Sequence, residues 1–160
     1  MKKSSNRENY TLTAWRRLSS FAGGKWLFGR IVCWKAPYFA TIRPQFVDVR
    51  PGHCEVRMKI RRAILNHIGT VHAIAMCNLA ELAGGTMTEV TIPGTHRWIP
   101  AGMSVEYLRK AQTDLVAVAI YEFPSFSEVA TEVRVPVSLL DTRGEIVFHA
   151  EIRMHVSMKA

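Results

Sequence analysis

The sequence predicts an α+β domain in which a mostly antiparallel sheet wraps around one central helix. Three observations carry that expectation. Residues 71–83, Val-His-Ala-Ile-Ala-Met-Cys-Asn-Leu-Ala-Glu-Leu-Ala, are apolar on nearly every side, the pattern of a helix enclosed by its own domain. The flanking segments alternate apolar and polar residues with period two, as half-buried strands do. Their order is helix, two strands, the enclosed helix, then four strands.

Taken in order, residues 9–35 come first. Trp15, Leu18, Phe21, Ala22, Trp26 and Phe28 fall loosely on helical spacing, with Arg16, Arg17, Lys25 and Arg30 between them. Gly23-Gly24 breaks or kinks this segment. A basic amphipathic helix with tryptophans can lie on a membrane surface. The favoured expectation is a helix packed on the domain by its aromatic face. Pro37 and Pro44 bracket the entry to the first strand. A strand over 42–49, a Pro51-Gly52 turn and a second strand form a hairpin. In that second strand Cys54, Val56, Met58 and Ile60 alternate with Glu55, Arg57, Lys59 and Arg61. The central helix then runs to Gly84-Gly85, where a stop is expected. Strands come next over 103–108, 115–121, 129–139 and 145–158. In the last, Ile146, Phe148, Ala150, Ile152, Met154 and Val156 face one way, after a turn at Asp141-Thr142-Arg143-Gly144. No internal repeat or linker interrupts the series. The expected organisation is a basic helical extension over 1–35 and a single domain over 36–160.

Composition narrows the functional classes. Hydrophobic residues are 48% and charged residues 21% of 160, which excludes wholesale disorder and suits one domain. The net charge is +8, unevenly spread: 14 basic and 3 acidic residues over 1–62, against 7 and 10 over 63–160. Such asymmetry points to a polyanion, whether nucleic acid, a membrane surface or a phosphorylated small molecule. No nucleic-acid motif or basic-aromatic strand face accompanies the charge, so nucleic acid is not expected. Cys33, Cys54 and Cys77 are far apart among apolar neighbours, so reduced thiols are expected rather than disulfides or a zinc knuckle. The basic start, Met1-Lys2-Lys3-Ser4-Ser5-Asn6, precedes no apolar signal core. No stretch approaches the roughly 18 apolar residues of a membrane span. A cytoplasmic protein is the expectation.

Chemistry concentrates in Asn66-His67-Ile68-Gly69-Thr70-Val71-His72-Ala73, followed by Glu81. Glu81 falls nine residues beyond His72, within a helix that should be enclosed. A buried carboxylate must raise its pKa or find a partner; a paired arginine would make it structural, an unpaired site functional. His72 and Ala73 open the helix, so their N–H groups lack intrahelical acceptors. Such donors, at the positive end of the helix dipole, suit an oxygen that becomes negative during reaction. Asn66 can hold water or carboxylate, and an Asn near a Gly is also ordinary loop chemistry. His67, His72 and Glu81 fit no standard zinc spacing, so no metal is expected.

The string Asn-x-x-Gly-x-x-His, with an acidic residue nine positions beyond the His, resembles the hotdog-fold thioesterases, specifically the PaaI-like group. The resemblance runs from about Ala36 to Met158, and Gly102-Met-Ser-Val-Glu-Tyr-Leu-Arg-Lys-Ala111 is similar to the first strand after that family's helix. Asn-His-Ile-Gly-Thr-Val-His-Ala-Ile-Ala is closest to a branch whose substrates are largely unassigned. The resemblance implies the hotdog fold and an acyl-CoA thioesterase, with coenzyme A as part of the substrate and no other cofactor. Asn66 would help hold the attacking water, and His72 closes the motif. The Ala73 N–H would polarise the thioester carbonyl, and Glu81 would act as general base or nucleophile. The family usually has glycine at position 73; alanine keeps the N–H. His67, Gly69 and Thr70, with Arg61 and Arg62 beside the motif, are candidate substrate contacts. Thr95 and His96 are candidates for the polar residue that assists the carboxylate in some members. The resemblance further implies a homodimer, or a dimer of dimers, in which Asn66 and Ala73 of one chain face Glu81 of the other.

Two other functions compete. His67 and Glu81 are 14 apart, a separation similar to the His and Glu pair of acyl-carrier-protein dehydratases, but Gly69-Thr70-Val71-His72 replaces the proline- and glycine-rich loop of those enzymes. A non-catalytic acyl-thioester-binding module could keep the same pocket.

Overall fold

The computed structural model describes residues 9–126 and 129–159. The basic start at 1–6 therefore lies outside the described residues, as does part of the 1–35 extension.

Residues 9–35 form two helices, α1 (Tyr10–Ser19) and α2 (Gly24–Lys35). Asn9 caps α1 by accepting the Leu12 N–H at 3.0 Å. Gly23, the N-cap of α2, sits at φ 82°, a left-handed conformation that glycine adopts without strain, so the segment breaks near the glycine pair as expected. Gly24 follows for a different reason: a Cβ there would lie 1.7 Å from the Leu18 carbonyl oxygen. Only part of the aromatic set packs inward. Phe28 stands edge-on between Trp15 and Phe46, at centroid distances of 5.1 and 4.9 Å, whereas Phe21 and Trp26 face solvent.

A 3-10 helix, Pro37–Ile42, comes next, so the strand expected from position 42 begins later. Arg43 turns the chain at φ 48° and Pro44 precedes β1 (Gln45–Arg50). The remaining elements are β2 (His53–Met58), α3 (Ala73–Thr91), β3 (His96–Tyr107), β4 (Leu115–Ile120), β5 (Thr131–Leu140) and β6 (Ile146–Met158). The six strands form one antiparallel sheet in the order β1-β2-β4-β5-β6-β3, with β1 and β3 at its edges. Helix α3 fills its hollow: Met76, Leu79, Ala80, Leu82, Ala83 and Met87 are buried against inward residues such as Val56, Ala117, Val137, Ala150 and Ile152. This is the hotdog layout.

Two expectations are corrected. The helix does not stop at Gly84-Gly85 but continues to Thr91. The glycines serve packing: a Cβ on Gly84 would come within 2.8 Å of Ile152 Cδ1, and one on Gly85 within 2.7 Å of the Trp98 ring. The strand expected at 103–108 starts seven residues earlier, at His96. Pro100 and Gly102 disguised it, and both sit at a bulge against β6.

The thiols of Cys33, Cys54 and Cys77 are all free. Burial pushes the Cys54 thiol up, reinforced by Asp48 and Glu55. Asp141 organises the β5–β6 turn by accepting from the Arg143 and Glu145 N–H groups at 2.8 and 3.0 Å. Burial alone would raise its pKa, but those donors and the Arg143 side chain outweigh it and hold the carboxyl low. The Ile60 N–H, with Arg57, likewise lowers Asp114 against its burial.

Two outcomes are expected from this packing. Gly85→Leu should overfill the Trp98 contact and cost about 1–3 kcal/mol, read as a lower urea midpoint with unchanged slope. Because Asp114 and Asp141 have folded pKa values below their unfolded ones, each stabilises the fold above the ordinary carboxylate range. That contribution disappears as pH falls through the folded value. Thermal melts of an Asp114→Asn/Asp141→Asn variant should show a shallower loss of stability on acidification than the parent.

Candidate active site

The loop before α3 is built around Asn66. Its Oδ1 accepts the Ile68 and Thr70 N–H groups, both at 3.1 Å, and its Nδ2 donates to Thr70 Oγ1 at 2.8 Å. The backbone closes the same turn, with Asn66 N–H donating to the Thr70 carbonyl at 2.9 Å. Gly69 makes the turn possible at φ 81°. Val71 and His72 then tie the loop to the body, donating to the Ala111 and Ile64 carbonyls at 2.8 Å each.

That last bond changes the expected donor pair. The His72 N–H is satisfied by Ile64, and His72 is the N-cap of α3, its Nδ1 accepting from the Ile74 N–H at 3.1 Å. A neutral ring in that arrangement carries its proton on Nε2. Ala73 is the first helical residue, and its N–H has no acceptor among the described residues. One backbone donor, not two, stands free at the positive end of α3.

Ala73 lines a cleft of about 500 Å³ together with Asn66, Thr70, Met76, Tyr107, Arg109 and Lys110. The end of β3 thus brings a phenol and two cations to the loop. Tyr107 Oη lies 3.5 Å from Cys77 Sγ, and its ring packs 5.4 Å from Phe148. The hydrogen bond with Cys77, then burial, pushes the phenol up to about 12. None of Tyr107, Arg109 and Lys110 was among the sequence candidates. Their signal was a basic pair immediately after a strand, adjacent in space to the loop only once β3 pairs with β6.

Glu81 takes a different place. Ala73, Cys77, Glu81, Gly85 and Glu89 follow at four-residue intervals, in a row that drifts about 40° around the helix at each step. Cys77 meets Tyr107, Gly85 lies under the Trp98 ring, and Glu89 accepts from Trp98 Nε1 at 2.7 Å. Glu81 therefore lies along β3, between these contacts. The sequence pattern placed it inside the domain; it is half-exposed, because β3 is the last strand and nothing beyond it covers the helix. Among the described residues its carboxylate has no hydrogen-bond or ion-pair partner. Eight residues separate it from Ala73, about 12 Å along the axis, too far for both to act on one carbonyl group within a chain.

The other candidates scatter. His67 is exposed and outside the cleft. Arg61 turns away and donates to the Thr41 carbonyl, while Arg62 is exposed in the 3-10 turn Arg62–Ile64. Thr95 and His96 stand at the opposite end of β3 from Tyr107, roughly 35 Å along the strand, bonded to each other at 3.0 Å. Asn78, polar company for Glu81 on the helix, is buried and donates to Thr41 Oγ1 at 3.1 Å. Among the described residues no group of three or more His, Cys, Asp or Glu side chains is placed to hold a metal ion.

Comparisons with known proteins bear on the family and the fold. Residues 24–156 match the model of a domain of unknown function, DUF4442. A structural-genomics target, APC5556, is 46% identical over 93% of this chain and 98% of its own, with a TM-score of 0.81. PA5026 of Pseudomonas aeruginosa, described as a probable thioesterase, is 21% identical over 79% of this chain and 91% of its own, with a TM-score of 0.70. The protein smu.793 of Streptococcus mutans UA159, solved bound to acetyl CoA, is 19% identical over 72% of this chain and 90% of its own, with a TM-score of 0.63. The last two share the fold. No curated protein matches the chain.

Asn66→Ala would leave the Thr70 and Ile68 N–H groups without their acceptor. The expected loss is about 1–3 kcal/mol in urea unfolding, with faster hydrogen exchange at those two amides.

Proposed function

The chain belongs to the DUF4442 family, and on that footing we propose that it is an acyl-CoA thioesterase with a site shared between two copies of the chain. The observation that carries this reading is the free Ala73 N–H lining a cleft flanked by Arg109 and Lys110. A backbone donor at a helix N-terminus suits a thioester oxygen, and two cations suit the phosphates of coenzyme A. A protein of the same fold solved with acetyl CoA supports that substrate class.

In the proposed reaction the acyl carbonyl oxygen accepts from the Ala73 N–H. Glu81 of the second copy takes a proton from water, whose oxygen attacks the carbonyl carbon. The tetrahedral intermediate places its negative charge at the N-terminus of α3 and collapses with cleavage of the C–S bond. The thiolate of coenzyme A leaves and is protonated, and the acid is released. Attack by the Glu81 carboxylate itself, through an anhydride that water then opens, uses the same groups. Asn66, with one Nδ2 hydrogen beyond its loop bonds, is suited to orient the water. Arg109 and Lys110 take the phosphate-binding role that the sequence suggested for Arg61 and Arg62.

Distance supports sharing the site between two copies. Ala73 and Glu81 of one chain cannot meet at one carbonyl, whereas β3 leaves an unpaired edge beside Glu81 on which a second β3 can pair. The PaaI-like branch and the cytoplasmic location remain part of this proposal. A second reading, an acyl-thioester-binding module without turnover, is favoured by one observation: no described side chain of this chain assists Glu81.

Purified protein on a panel of acyl-CoA chain lengths should release CoA, and Glu81→Gln should abolish that release. Acyl-CoA binding without release would establish the module instead. Ala73→Pro is the sharper variant. Proline is tolerated at the first helical position, and His72 already has the extended conformation proline demands of its predecessor, at φ −64° and ψ 137°. It should leave the melting temperature nearly unchanged yet lower kcat about 100- to 1,000-fold by deleting one donor. Refolding Ala73→Pro together with Glu81→Gln should restore about a quarter of the parental rate, since half of the sites in mixed dimers are then intact.

A further inference from the structure

We propose that the outer face of α2, continued by Tyr38, docks this protein on an anionic lipid surface. Phe28 and Gly29 fix how the helix rolls, because both are buried against the domain. Trp26, Arg30 and Trp34 follow at four-residue steps on the opposite side, with Leu27 and Ile31 beside them. Trp26 is 67% exposed and Trp34 81%, and Leu27, Ile31 and Tyr38 are exposed with them. Large aromatic side chains this open are unusual on a face that meets only water.

Charge selects the occupant. Residues 9–43 contain six Lys and Arg and no Asp or Glu. Arg30 lies 6.0 Å from the Trp26 ring, and Lys35 ends the helix. Tryptophan and tyrosine settle at headgroup depth, and the neighbouring cations meet lipid phosphates. A second copy is a poorer fit. Two such faces meeting about a two-fold axis would oppose basic groups with no acid between them. The face is also remote from the β3 edge: α2 packs beside β1, at the other side of the sheet. Docking would be peripheral, since among the described residues no helix is long and apolar enough to cross a membrane.

The test is flotation of the full chain with vesicles of phosphatidylcholine alone or mixed with phosphatidylglycerol. The parent should float with the mixed vesicles, stay behind with phosphatidylcholine, and be released by added salt. Trp26→Ala/Trp34→Ala and Arg30→Glu/Lys35→Glu should each cut the floated fraction at least roughly tenfold. All four positions are exposed, and circular dichroism melts check that both variants keep the parental midpoint. The proposal is overturned if the parent ignores the mixed vesicles or if either variant binds them like the parent. It is also overturned if the tryptophan pair controls only self-association in lipid-free sedimentation, which would assign the face to a second copy. None of these readouts depends on thioester hydrolysis.

Discussion

Helix α3 lies close against the sheet where Gly84 and Gly85 present no side chain and Ile152 and Trp98 occupy the space. That approach decides the rest. A helix held so close buries Leu79, Ala80, Ala83 and Met87 almost completely, and this apolar burial is the main favourable term for a domain this size. It also fixes the helix along its axis. The first turn emerges at one end of the hollow, beside the Asn66 loop, and Glu81 is carried to the margin of β3. Geometry at the polar site is thus set by contacts one to three turns away from it.

The polar groups at that end are few and mostly engaged. Asn66 and Thr70 hold one another, and His72 joins Ile64 to Ile74. Of the backbone donors in the first turn of α3, this leaves the Ala73 N–H without an acceptor among the described residues. Rigid surroundings matter for such a group, because a donor that need not reorganise stabilises developing charge better than a mobile one. Tyr107 and Cys77, joined at 3.5 Å, fill the space between this donor and Glu81 along the same row of the helix.

The enclosed helix, the β1–β2 hairpin and β6 were legible in the sequence because each shows its period over several residues. Gly23-Gly24 was read correctly as a break, whereas Gly84-Gly85 was misread as one. Locally the two pairs look alike, and what separates them is the packing of Trp98 and of Ile152, the latter far along the chain. The first half of β3 was hidden by Pro100 and Gly102 at a bulge. At the site, the loop residues were visible as a motif, but Arg109 and Lys110 reach it through β3–β6 pairing, a tertiary fact without a local pattern. The half-exposure of Glu81 belongs to the same class. It follows from strand order, which no stretch of residues encodes by itself.

The two edges of the sheet are not equivalent. Strand β1 is short and bulged between Phe46 and Asp48, and Lys25 occupies the Val47 carbonyl at 2.6 Å. Strand β3 is twice as long, and although it too is bulged at Pro100–Gly102, where Arg153 donates to the Ala101 carbonyl at 3.3 Å, Met103–Tyr107 extend beyond that point. A sheet with two open edges can add neighbours without end, which is how edge pairing becomes aggregation. A sheet with one open edge can satisfy it with the same edge of another molecule, related by a two-fold axis. That contact closes on itself and leaves no growing end. In the proposed shared-site assembly, the blunted β1 edge would leave β3 as the pairing edge, with no end from which to polymerise.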